Sequence, residues 1–132
     1  MALDWGEVRV GAAVSDPDGK IAFPLEKVIE AKVAVEEIKN IVAELVIEKI
    51  VIGLPKNLNG VEASSAKKVE EFAAELKKYV TIPIEFLDER FTSVQAGKIL
   101  ADIGMREAKQ RQIKDNIAAQ IMLQQYLETY KK

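Results

Sequence analysis

The chain has 132 residues, 48% hydrophobic and 30% charged, with a formal net charge of −2 and neither cysteine nor histidine. That length suits one domain spanning residues 1–132, burying roughly two-thirds of its unfolded surface. The apolar fraction excludes a disordered chain. No run approaches the ~20 apolar residues of a membrane span, and no signal-type segment precedes the first motif, so a cytoplasmic protein with no membrane partner is expected. Without cysteine there are no disulfides, thiolate nucleophiles or thiolate metal sites. Without histidine there are no Ser-His-Asp triads or imidazole bases. Catalysis, if present, rests on carboxylates, Lys, Tyr, hydroxyls or a metal held by oxygen.

Residues 1–4 begin an apolar strand. Val8, Val10, Ala12 and Val14 then alternate with Arg9, Gly11, Ala13 and Ser15, the period of a second strand. Asp16-Pro17-Asp18-Gly19 is a turn signal, and residues 21–28 are expected to return as a third strand of an antiparallel meander. Ala34, Ile38, Ile41, Val42 and Leu45 recur at helical spacing. Ile50–Leu54 is a continuous apolar run, as in a strand covered on both faces of a parallel sheet. After a loop at residues 55–60, the positions Ala66, Val69, Phe72, Ala73, Leu76 and Val80 mark a second helix. Residues 82–87 read as a fifth strand, with Pro83 near its start. Thr92 with Gln95 fits a capping box opening a helix that stops near Gly104. Residues 104–114 read as a polar loop and 115–130 as a last helix. The order βββαβαβα predicts an α/β fold: a mixed five-stranded sheet, a three-strand meander plus two parallel strands, flanked by helices.

In such sheets ligands bind at the carboxyl ends of the parallel strands. Asp4 falls at the end of the first strand and Asp88-Glu89 at the end of the fifth. Advancing about 100° per residue along the last helix puts Ala118, Ala119, Met122, Leu123 and Tyr126 within roughly 80° of Asp115. A carboxylate thus centres an apolar, inward-facing stripe, where a charge is costly unless paired or bound to metal. Each acid has an ordinary alternative: Asp115 as a helix cap, Asp4 as a turn residue, Asp88 as a partner for Arg90. One shared site accounts for all three at once. Oxygen-only ligands select a hard cation, Mg²⁺ or Mn²⁺. Two such ions about 4 Å apart can activate water and stabilise a leaving oxygen in phosphodiester cleavage.

Four blocks resemble the YqgF/RuvX family in order and spacing. They are Asp4-Trp5-Gly6-Glu7-Val8-Arg9-Val10-Gly11; Gly53-Leu54-Pro55 with Asn59-Gly60; Asp88-Glu89-Arg90-Phe91-Thr92-Ser93; and Lys114-Asp115-Asn116-Ile117-Ala118-Ala119. The resemblance implies a ribonuclease H-like fold related to Holliday junction resolvases. It also implies a cytoplasmic nuclease that helps process the 5′ end of pre-16S rRNA. On the matching positions Asp4, Asp88 and Asp115 are the implied catalytic, metal-binding acids, with Glu89 able to replace or assist Asp88. Adjacent strand residues face opposite sides, so the choice between Asp88 and Glu89 stays open. Two features depart from the family pattern. Glu7 stands where a small hydroxyl residue is usual, and the chain begins close to the first motif, which leaves a short first strand.

An acidic protein is not an obvious partner for nucleic acid, whose phosphates attract Lys and Arg. Locally the balance differs: Arg106, Lys109, Arg111 and Lys114 against Glu107 give residues 104–114 a net +3. The ordinary reading is a solvated loop; its place before Asp115 favours a phosphate-contacting arm. Arg9, Lys56, Asn59, Arg90, Arg111 and Lys114 are the expected substrate contacts, on structured or precursor rRNA or on junction DNA. Trp5 reads as a packing residue before a base-stacking one. Three functions stay open at this point: an rRNA-processing nuclease, a four-way DNA junction resolvase, which would work as a homodimer rather than a monomer, and a non-catalytic RNA-binding module of ribosome assembly. An actin-type ATPase would need two such domains.

Overall fold

A computed structural model describes residues 1–54, 60–88 and 107–129. Its strands are β1 (Ala2–Asp4), β2 (Arg9–Ser15), β3 (Ala22–Pro24), β4 (Ile29–Glu30), β5 (Ile50–Leu54) and β6 (Ile84–Asp88). Its α-helices are α1 (Ala34–Leu45), α2 (Gly60–Leu76) and α3 (Glu107–Thr129). The sheet order is β3-β2-β1-β5-β6, with β4 paired to β2. β1 is antiparallel to β2 and parallel to β5, which is parallel to β6. This is the expected mixed sheet. The helix expected from Thr92 lies outside the described residues.

Strand periodicity sorts the side chains onto two faces. Leu3, Val10, Ala12, Ile50 and Ile52 join Ala34 and Ile38 of α1 and Val69, Ala73 and Leu76 of α2 in the larger core. Fully burying an aliphatic side chain of this size contributes roughly 1.5–3 kcal/mol, so this layer supplies most of the apolar drive. Ala2, Ala13 and Ala22 face the other way, against Ala119, Met122 and Leu123 of α3. Alanine there lets the helix lie close to the sheet. Because both faces are covered, β2 reads as four successive buried residues, Val10–Gly11–Ala12–Ala13, rather than as a half-buried alternation. Val8, which fits the alternating pattern, falls before the strand and is 75% exposed.

Two elements differ from the sequence expectation. The third strand is divided: β3 pairs with the end of β2 (Ser15↔Ala22) and β4 with its beginning (Arg9↔Glu30). Between them the chain bows away from β2, and the side-chain amide of Asn116 fills the gap. Its Oδ1 accepts from the Ala12 N–H at 2.9 Å, and its Nδ2 donates to the carbonyls of Leu25 at 2.8 Å and Lys27 at 2.9 Å. Asn116 is fully buried, and such an amide is tolerated only when its donors and acceptor are satisfied. Two turns of α3 repeat the device. Gln124 Oε1 accepts from Ala22 N–H, while Gln120 Nε2 donates to the Ala22 carbonyl and Gln124 Nε2 to that of Lys20. Residues 116, 120 and 124 lie on one helix face at spacing i, i+4, i+8, so they form an amide ladder along the outer strand.

The second difference is the start of α3, at Glu107 rather than near Asp115. Residues 107–112 are charged or amide side chains and one alanine, without an apolar stripe. All are strong helix formers, and no Gly or Pro interrupts them. At its other end α3 is fastened by Tyr126, whose hydroxyl donates to Glu85 and accepts from Lys49.

Replacing Asn116 by Leu leaves the Ala12 N–H and the Leu25 and Lys27 carbonyls without their partner. At ~1–3 kcal/mol for each group stranded away from water, urea denaturation should show a loss of about 3 kcal/mol or more. The hairpin turn gives a pH prediction. The Ile21 and Lys20 backbone N–H groups donate to Asp16 Oδ1, holding its carboxyl below the ordinary aspartate value. A depressed folded-state pKa means that the turn is favoured above the unfolded value and loses that support as pH falls through the folded one. Carboxyl ¹³C titration should give Asp16 a lower midpoint than a free aspartate, with the Lys20 and Ile21 amide shifts following it.

Candidate active site

Asp4 ends β1, the sheet's central strand, on the same face as Ala2 and therefore on the α3 side. Its cross-strand partner is Gly11. A Cβ on Gly11 would lie 2.0 Å from the carbonyl oxygen and 2.9 Å from the Cβ of Asp115, so α3 rests its Asp115 turn directly on bare β2 backbone. Directly paired strand residues hold their Cβ positions about 5 Å apart. Asp4 and Asp115 therefore flank one vacant side-chain position. Residues from opposite ends of the chain meet at the carboxyl end of a parallel strand.

Two neighbouring carboxylates repel each other, and Arg9 offsets part of that charge. It opens β2 on the α3 face, and its Nε donates to Asp115 Oδ2 at 3.2 Å, with the two side chains 52% and 34% exposed. Both ends of the pair are held by backbone. Arg9 pairs with Glu30 of β4, and Asp115 adjoins the buried Asn116. The turn joining Asp4 to Arg9 needs Gly6, where a Cβ would approach the Arg9 carbonyl oxygen to 2.6 Å. Trp5 in that turn is half-buried against the larger core, the packing role. Glu7 pairs with Lys68 of α2, whose hydrogen bond and charge hold the Glu7 carboxyl below the ordinary range. α2 packs on the opposite face of the sheet, so Glu7 is engaged away from the two aspartates.

Asp88 ends β6 opposite Leu54, and Leu87 stands opposite Gly53. Continuing the β1–β5 register, in which Leu3 is paired with Ile52, brings Asp4, Gly53 and Leu87 into one row. Leu87 packs in the α3-side layer. Glu89 lies outside the described residues, as do Arg90, Lys56 and Asn59. Lys114 is exposed on α3 immediately before Asp115. The stretch expected as a polar loop before Asp115 is helical from Glu107 onward. Among the described residues no group of three or more Asp or Glu side chains stands close enough to hold a metal.

Sequence reasoning missed Asn116. The available signal was a polar amide inside the run Asn116-Ile117-Ala118-Ala119, next to Pro24 and Leu25-Glu26-Lys27 in a strand that proline interrupts. A groove of about 600 Å³ lies at the opposite end of the sheet, lined in part by Met1, Lys49, Val51 and Tyr126. That groove faces the amino ends of the strands, away from Asp4 and Asp115.

Among the described residues no helix is long and apolar enough to cross a membrane. The solved structure of T. thermophilus RuvC in complex with Holliday junction substrate superposes with a TM-score of 0.58 at 12% identity, covering 96% of this chain and 92% of that one. The shared fold is ribonuclease H-like. A relative from Chloroflexus aurantiacus is 38% identical over 130 residues, which is 97% of this chain and 85% of the relative. One from Dictyoglomus turgidum is 36% identical over 131 residues, 98% and 93% of the two chains. Both bear the name "Putative pre-16S rRNA nuclease". The family model described as "RuvX: Holliday junction resolvase" matches residues 1–129, and the chain belongs to that family.

Proposed function

We propose that this chain is a nuclease that hydrolyses phosphodiester bonds in structured RNA, with the precursor of 16S rRNA as its substrate in the bacterial cytoplasm. The observation that carries the reading is the meeting of Asp4 and Asp115 across Gly11, at the sheet edge where this fold class binds ligands. The names of the relatives at 36–38% identity support the substrate.

The donor set suits Mg²⁺ or Mn²⁺: both groups are hard carboxylate oxygens, and Mg²⁺ is commonly held by one or two carboxylates plus substrate phosphate. A bound ion would supply charge stabilisation at the phosphoryl oxygens and an activated water; paired ions would do both at once. The chain itself supplies position. β1 fixes Asp4, the α3–sheet contact fixes Asp115, and Arg9 orients one Asp115 oxygen. The third acid is Asp88 or Glu89, at the end of β6. Lys114 and Arg111, with Lys56, Asn59 and Arg90, would meet the phosphates flanking the cut. The family model's description favours a second reading on the same acids, cleavage of four-way DNA.

Nuclease assays on a precursor-rRNA fragment and on a four-way DNA junction, with Mg²⁺, Mn²⁺ or EDTA, separate these readings. Cleavage of the RNA should require the divalent ion. Asp4→Asn and Asp115→Asn should each reduce it on the order of 100-fold or more, the scale for losing one preorganised charge-stabilising group, while circular dichroism stays unchanged. Preference for the junction would transfer the activity to DNA. Full activity in either variant would remove that acid from the mechanism.

A further inference from the structure

We infer that Arg9 is a positioning residue that exchanges partners. In the cation-free protein it is the counter-ion of Asp115, and once a divalent cation takes over the Asp115 charge its guanidinium turns to a substrate phosphate. This rests on the nuclease reading above and adds a residue and an order of events to it.

Three observations lead there. First, the contact uses one donor: Nε meets Asp115 Oδ2 at 3.2 Å, and no further Arg9 side-chain bond forms among the described residues. Both terminal nitrogens remain for a second, planar partner, the fork geometry that suits phosphate. Second, the Arg9 side chain is 52% exposed although its backbone is locked into the β2–β4 ladder. The head can swing while its root stays fixed. Third, Arg9 sits at the start of β2 on the face that Asp4 and Asp115 share, so a phosphate held by a cation on those acids would approach the same side chain.

A cation and a guanidinium cannot both neutralise one carboxylate oxygen at full strength. At ~4 Å in high dielectric, two unit charges interact by an amount worth roughly five-fold in an equilibrium constant. Arg9 therefore weakens cation binding in the free protein and is released when the cation binds. Its phosphate contact then becomes available only in the loaded site, coupling cation occupancy to substrate affinity.

Mn²⁺ alone is titrated into the full chain by calorimetry, for wild type, Arg9→Gln and Arg9→Lys. Lys32→Gln serves as a control, removing an exposed charge that pairs with Glu30. Arg9→Gln should bind Mn²⁺ roughly three- to ten-fold more tightly than wild type, with the Lys32 control unchanged and Arg9→Lys near wild type. Fluorescence anisotropy with a phosphorothioate-protected rRNA fragment then reads the second half. Arg9→Gln should match wild type in EDTA and bind severalfold more weakly in Mn²⁺, and Arg9→Lys should recover only part of that loss. A purely structural Arg9 would lower thermal stability and weaken both titrations together, which would overturn the exchange. Mn²⁺ affinity unchanged in Arg9→Gln would also overturn it while leaving the nuclease reading intact. No Mn²⁺ binding by wild type would sink both.

Discussion

The contact between α3 and the sheet governs everything that follows, and it is made of backbone. Gly11 has no side chain, Ala2, Ala13 and Ala119 have almost none, and the helix carbonyl at Asp115 touches the strand directly. Such close approach leaves strand groups that a bulky apolar interface would strand. Asn116, Gln120 and Gln124 answer this with side-chain amides that mimic a neighbouring peptide. Apolar packing sets how near the helix lies, and the amides set its rotation and register. A helix that slipped by one residue would swap Asn116 and Gln120 for Ile117 and Ile121 and lose their bonds.

The same constraint explains why two carboxylates sit together. Left to itself, a pair of like charges at a half-buried position separates or takes up a proton. Here one acid is tied to the central strand and the other to a helix whose rotation is fixed one residue away. The fold thereby fixes where both charges sit. Arg9 removes part of the repulsion at modest cost, since both members of the ion pair remain partly in water, where such pairs contribute little to stability.

The molecule is fastened differently at its two ends. Near Asp115 the buried Asn116 amide stands beside the partly exposed Arg9–Asp115 ion pair; near Tyr126 the bonds are the exposed Lys49–Glu85–Tyr126 cluster, in which the Tyr126 and Lys49 hydrogen bonds hold the Glu85 carboxyl below its ordinary range. A buried neutral network is rigid and insensitive to salt, whereas an exposed ionic one is screened.

Much of this architecture follows from local pattern. The unbroken apolar run of β5 and the helical spacing of α1 each reflect burial of one element's own residues, and burial is written along the chain. The placement of Asp4 at a strand end and of Asp115 on an inward helix face follows from the same logic, and four motifs in order pointed to the family. The division of the third strand, the amide ladder and the row that joins Asp4 to Leu87 rather than to Asp88 do not. Each depends on register between distant segments, and a shift of one residue reverses every face. The polar start of α3 was misjudged because helix propensity without an apolar stripe carries little weight until a neighbouring turn anchors it. Sequence alone settled which side chains are oily, charged or small, and so which elements form and what chemistry is available. Tertiary structure decided which of them touch, because Gly11 meeting Asp115 is a fact about two backbones and no side-chain pattern encodes it.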